Sequence, residues 1–138
     1  MPLAVFVTNV DMSSTMEEFA TGISHILSDR LHREEEKITV HIQPNQFMFR
    51  GGSTDPAGYV SLCTSRGFGD VEHRRDTSQK VLDFIKEQLK LKDSSRFMVY
   101  MHTMSADDIG IDGGLVSDRF GCMGQGGPFD VRWHKLTK

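Results

Sequence analysis

Apolar positions change their period along this chain, and the changes predict its elements. Leu3 to Val7 is an unbroken apolar run rich in β-branched residues, which predicts a strand buried on both faces. The run begins almost at the first residue, so the start of the chain is expected to be tied into the core rather than left to fray. A polar stretch from Asp11 to Ser14 follows, and Ser14 with Glu17 fits a capping box. Met16, Phe19, Ala20, Ile23, Ile26, Leu27 and Leu31 then recur at helical spacing as one stripe facing a sheet. His32-Arg33-Glu34-Glu35-Glu36-Lys37 reads as a solvated charged turn, and Ile38 to Ile42 alternates as a second strand. Pro44, Gly51-Gly52-Ser53 and Pro56 punctuate a long connection.

The second half repeats the plan. Tyr59 to Cys63 predicts a strand, and Arg66-Gly67-Phe68-Gly69-Asp70 a loop. A helix is predicted from about Asp76 to Leu91, with Val81, Leu82, Ile85 and Leu89 on one face, and Phe97 to Met101 is the fourth strand. Two strand–helix–strand units predict an α/β (α+β) fold, a four-stranded sheet with both helices on one face. Strands apolar on both sides then predict a second subunit over the other face. A short edge strand near Ile109–Ile111 precedes a glycine-interrupted tail. Residues 1–112 are read as one domain, with 113–138 as an irregular extension of it.

Composition narrows the classes. One domain is expected of 138 residues, and 38% hydrophobic with 25% charged content is ordinary for a globular chain. A net charge of −3 gives no basic field for nucleic acid or an anionic membrane. Without a membrane-length apolar run or a basic-then-apolar leader, the expected location is cytoplasmic; secretion without a signal peptide would leave no mark. Cys63 and Cys122 fit neither a disulfide framework nor a zinc site and read as free thiols. The six histidines lack ligand spacing, so no metal or cofactor is expected.

Pro2 reads in two ways. It opens the first strand, a place where proline is tolerated. Alternatively Met1 is removed, as the small Pro2 side chain permits, and Pro2 becomes a secondary amine on rigid structure. An α-amino group titrates near about 8 in water, and desolvation or a nearby cation lowers that value toward the range of a general base at neutral pH.

Met1-Pro2 followed by Thr8-Asn9-Val10 resembles the start of the macrophage migration inhibitory factor family. The central segment His41-x-x-Pro44-x-Gln46-x-Met48, Gly51-Gly52-Ser53 and Pro56 matches the same family in register. Arg96, Met104, Ala106 and Ile109-Gly110 match with small insertions, so the resemblance covers about residues 1–112. It implies a trimeric tautomerase fold with sites at subunit boundaries, enol–keto isomerisation of phenylpyruvate-like acids and dopachrome derivatives, and activity as a secreted cytokine. By that resemblance Pro2 is the catalytic base. Arg33 stands where the family has a lysine that pairs with the substrate carboxylate, and arginine keeps the charge with a different reach. Ser65 supplies a backbone N–H to the carboxylate, and Ile109 is an apolar residue at the rim. Met98 and Tyr100 are substrate-binding positions supplied by a neighbouring subunit, where better-studied members have tyrosine and asparagine. Cys63 stands where those members have histidine, and the C-x-x-C pair of some members is absent, with Ala57 and Val60 in its place. The implied partners are a small aromatic 2-keto acid or its enol, two further copies of the chain and a cell-surface receptor. No cofactor, nucleic acid or membrane insertion is implied.

Two other readings stand beside this one. The first keeps the fold and drops the turnover, leaving a receptor ligand, and rests on the altered fourth strand. The second is an RNA-recognition module: Val5 to Val10 looks like its first signature, and Arg66-Gly67-Phe68-Gly69 with Val71 matches half of its second. These segments begin about 60 residues apart, where that module needs roughly 30. Asp70 and His73 replace aromatic positions, and the charge lacks a basic footprint.

Overall fold

Alternation along the first strand decides the layering. In the computed structural model, which describes residues 1–120, β1 (Leu3–Thr8) turns Ala4, Phe6 and Thr8 inward. It pairs in parallel with β2 (Thr39–Gln43) and antiparallel with β3 (Gly58–Thr64). β3 pairs in parallel with β4 (Phe97–Thr103), giving the order β2-β1-β3-β4. A parallel pair needs a crossover. Here α1 (Met16–Leu31) links β1 to β2 and α2 (Val71–Gln88) links β3 to β4, so each helix joins neighbouring strands. The split plan of an RNA-recognition module, in which a third strand separates the two that a helix joins, is not this one.

The helices bury their stripes on one sheet face. Phe19, Ile23, Leu27 and Leu31 of α1 and Thr77, Val81 and Ile85 of α2 pack over Phe6, Val60, Leu62 and Phe97. The Phe6 and Phe19 rings stack with centroids 4.7 Å apart. At Gly22 the missing side chain lets the Phe84 ring lie on the α1 backbone. At Gly58 the nearest neighbour is backbone. A Cβ there would meet the Val7 carbonyl oxygen at 2.5 Å and the Phe97 ring at 2.9 Å, with backbone on one side that cannot swing away. Gly58→Ala is therefore expected to lower stability by about 1–3 kcal/mol, read as a lower urea midpoint at unchanged slope.

Several predicted boundaries move. Among the described residues the face of β1 away from the helices is covered only in part: Val7 is buried, but Leu3 remains 39% exposed and Val5 half-buried. The capping box of Ser14 and Glu17 does not form. The N-cap is Thr15 without a side-chain bond, preceded by a turn in which the Thr15 N–H donates to the Met12 carbonyl at 3.0 Å. The second helix begins at Val71, about five residues before the predicted start, because the Asp70 carboxylate accepts from the His73 N–H at 2.8 Å and caps it. The predicted edge strand does not join the main sheet; β5 (Gly110–Ile111) pairs with β6 (Gly114–Leu115) in a separate hairpin. α3 (Val116–Phe120) follows, so the extension is regular where it begins. The tail expected beyond it, with Cys122, lies outside the described residues. Among the described residues no helix is long and apolar enough to cross a membrane.

Candidate active site

The candidate site gathers around the start of the chain. Pro2 is buried, and its carbonyl accepts from the Thr39 N–H at 3.0 Å, which extends the β1–β2 ladder to residue 2. On the other side Leu3 pairs with Cys63. That antiparallel register, carried two residues further, sets Ser65 level with Met1.

Arg33 reaches this place through the way α1 stops. His32 takes the left-handed conformation at φ 52°, and the N–H groups of His32 and Arg33 both donate to the Ser28 carbonyl. The Ser28 hydroxyl donates in turn to the Arg33 carbonyl at 2.6 Å. The reading of residues 32–37 as a solvated turn fails at this residue: Arg33 is only 8% exposed, and its Nε has no hydrogen-bond partner among the described residues.

A second cation, Arg66, was not singled out as a site residue by the sequence. It stands in the loop after β3, which is folded tightly by positive φ at Gly67 and Gly69 and anchored by the buried Phe68 ring. The doubled glycine around one aromatic was its only signal, and that signal points to a turn rather than to a site.

Electrostatics follow from this gathering. The Met1 α-amine is lowered from 8.0 to about 6, first by burial, then by Arg33, Arg66 and Lys37, with Cys63 opposing. Burial pushes the Arg33 guanidinium down, with Glu34 opposing, while burial and Arg33 together push Arg66 down. Burial raises the Cys63 thiol, against the pull of the amine. A chain of net charge −3 thus concentrates positive charge at one end of its sheet, around an amine that is mostly neutral at pH 7. Such a set can hold an anion and move a proton beside it.

The remaining expected residues divide. Ile109 is half-buried beyond the end of β4, and its carbonyl accepts from the Val116 N–H at 2.8 Å. Thr103, the last residue of β4, registers with Thr64, so Ile109 belongs to the same end of the sheet as Pro2. Met98 and Tyr100 do not join Pro2 within one chain. They register with Tyr59 and Ser61, which pair with Val7 and Val5, so both lie two strands over and several residues along from Pro2. They stand on the open sheet face, 42% and 54% exposed, with the Tyr59 and Tyr100 rings edge to face at 6.0 Å. Together with Met48, Phe49, Tyr59 and Arg96 they line a cavity of about 290 Å³. Among the described residues no three His, Cys, Asp or Glu side chains converge as metal ligands would.

Comparison with known proteins agrees with this architecture. A homologue of macrophage migration inhibitory factor from Trichinella spiralis is 26% identical over 113 residues, covering 82% of this chain and 97% of the homologue. The factor from Xenopus laevis is 27% identical, covering 82% of this chain and 96% of its own. The solved structure from Trichinella spiralis superposes with a TM-score of 0.74 at 25% identity, over 82% of this chain and 98% of that one. A homologue from Prochlorococcus marinus shares the fold, with a TM-score of 0.76 at 20% identity over 83% and 98% of the two chains. The family model described as macrophage migration inhibitory factor matches residues 1–117, from the proline at the chain start through the last hairpin, and the chain belongs to that family, within the tautomerase superfamily.

Proposed function

We propose that this protein is a tautomerase interconverting the enol and keto forms of phenylpyruvate-like or dopachrome-like acids, with the Pro2 amine as base and sites completed between subunits of a homotrimer. The observation that carries the reading is the depressed amine at the chain start, set among Arg33 and Arg66. While Met1 is attached, the Pro2 nitrogen is a tertiary amide without basicity. Once Met1 is removed, the amine moves one residue inward to the more buried Pro2, beside the same cations. The neutral nitrogen takes a proton from the enol hydroxyl and returns it to the carbon next to the carbonyl, or the reverse. Arg33 and a Ser65 backbone N–H hold the substrate carboxylate, and Ile109 borders the apolar end. Positioned proton transfer is worth about 10²–10⁴-fold.

What supports association of copies is the open face, where Leu3, Tyr59, Met98 and Tyr100 leave apolar surface exposed. Covering it with a second copy would set Met98 and Tyr100 of one chain beside Pro2 of the next. Protein beginning at Pro2 is expected to sediment as a trimer at micromolar concentration and to convert phenylpyruvate enol, followed by ultraviolet absorbance. A monomer, or turnover no faster in protein beginning at Pro2 than in protein that retains Met1, overturns the proposal. A second reading, a receptor ligand without turnover, is favoured by Met98, whose thioether donates no hydrogen bond to a substrate ring. Absence of any Pro2-dependent turnover on arylpyruvates would select it.

A further inference from the structure

Arg30 and His73 take no part in the enol–keto step, yet they hold each other at two points across the helix pair. We infer that His73 is a positioning residue: through Arg30 it fixes the turn at the end of α1, and with that turn the place of Arg33.

The first support is the pairing itself. His73, in the first turn of α2, meets two groups of one residue in the last turn of α1. Its Nδ1 lies 3.0 Å from the Arg30 guanidinium, and its Nε2 lies 2.9 Å from the Arg30 carbonyl oxygen. A guanidinium only donates and a carbonyl oxygen only accepts, so the partners assign the tautomer: Nδ1 accepts and Nε2 carries the hydrogen. Both contacts are half-buried, where a lost hydrogen bond costs more than at the surface.

The second support is where the bond falls. The last carbonyls of a helix have no partner within it, and the Arg30 carbonyl is one of them. His73 supplies from α2 the donor that a further turn of α1 would have given. Only the buried Leu31 and the left-handed His32 stand between Arg30 and Arg33, so fixing the Arg30 peptide fixes how the chain turns to Arg33. The third support is the footing of the clasp. The Arg30 Nε donates to the fully buried Thr77 hydroxyl at 3.2 Å, and a terminal nitrogen pairs with Asp76 at 2.9 Å. His73, Asp76 and Thr77 share one face of α2, whose start Asp70 caps by accepting the His73 N–H.

The inference rests on the tautomerase reading where it concerns turnover; the clasp is read without it, by hydrogen exchange of the full chain beginning at Pro2. In His73→Ala the His32 and Arg33 backbone N–H groups are expected to exchange about tenfold or more faster. KM for phenylpyruvate is expected to rise about threefold or more, with kcat changed by less than about twofold. His73→Gln keeps an N–H for the Arg30 carbonyl and is expected to restore most of both. Arg75→Ala, which breaks only the exposed ion pair with Glu72 on the same turn, is expected to move neither. Unchanged exchange at His32 and Arg33 in His73→Ala overturns the inference. So does acceleration as large at Phe19 in the core, which reports global opening, or faster exchange with KM unchanged. A His73→Gln protein no better than His73→Ala overturns it as well. If circular dichroism shows His73→Ala unfolded, His73→Asn takes its place. If the unaltered protein does not convert phenylpyruvate, the tautomerase reading falls alone, and exchange at His32 and Arg33 against Phe19 still decides the clasp.

Discussion

Protein that retains Met1 is expected to convert phenylpyruvate enol about 10²–10⁴-fold more slowly than protein beginning at Pro2. The reason is the nitrogen lone pair: in the Met1–Pro2 peptide it is delocalised into the carbonyl, and only the free amine accepts a proton. The pH dependence follows with a definite sign. The base works when neutral, so turnover falls as pH drops through the pKa of the amine's conjugate acid. An ordinary α-amine near 8 would be about nine-tenths protonated at pH 7, whereas one at about 6, as at Met1, is about nine-tenths neutral. The acid limb of kcat/KM is therefore expected below pH 8. Arg33→Ala removes one cation that lowers the amine, and that limb should move upward while KM for the carboxylate rises. An acid limb that stays in place in Arg33→Ala would separate the amine from the guanidinium and count against the shared site.

Phe19→Ala is expected to cost about 3–5 kcal/mol of stability, read from the urea midpoint. Phe19 is fully buried, 4.7 Å by ring centroid from Phe6 of the central strand and 5.2 Å from Phe84 of α2. Its removal leaves a cavity where both helices and the sheet meet, and close-packed surroundings collapse into such a space only in part. The consequence reaches the site, because α1 ends in the turn that delivers Arg33. A loss below about 1 kcal/mol would mean the three rings do not form the centre of the core.

Much of the architecture was legible because periodicity is a local property. Phe19, Ile23, Leu27 and Leu31 announce their helix face by spacing alone, and the strands fall within two residues of their predicted bounds. The first turn of α2 was missed because Val71 to Arg75 carry no apolar stripe, although Asp70 was available as a cap. The family was legible too, from Pro2 and the central segment, because such a resemblance is read from residue types at set spacings along one chain.

Spacing could not reveal the surroundings of the proline. Arg33 is written among charges and reads as solvated; the left-handed turn at His32 after α1 decides that it is buried. Arg66 acquires its meaning only when the β1–β3 register brings residues more than sixty apart to one end of a sheet. Nor does alternation say which face of an apolar strand the helices will choose, and that choice leaves Tyr59, Met98 and Tyr100 outward. The sequence by itself determined the elements, the repeated strand–helix–strand order and the family, since each is carried by neighbours in the chain. The tertiary structure alone decided which charges surround the chain start and which sheet face stays open, because both depend on contacts between residues far apart in sequence.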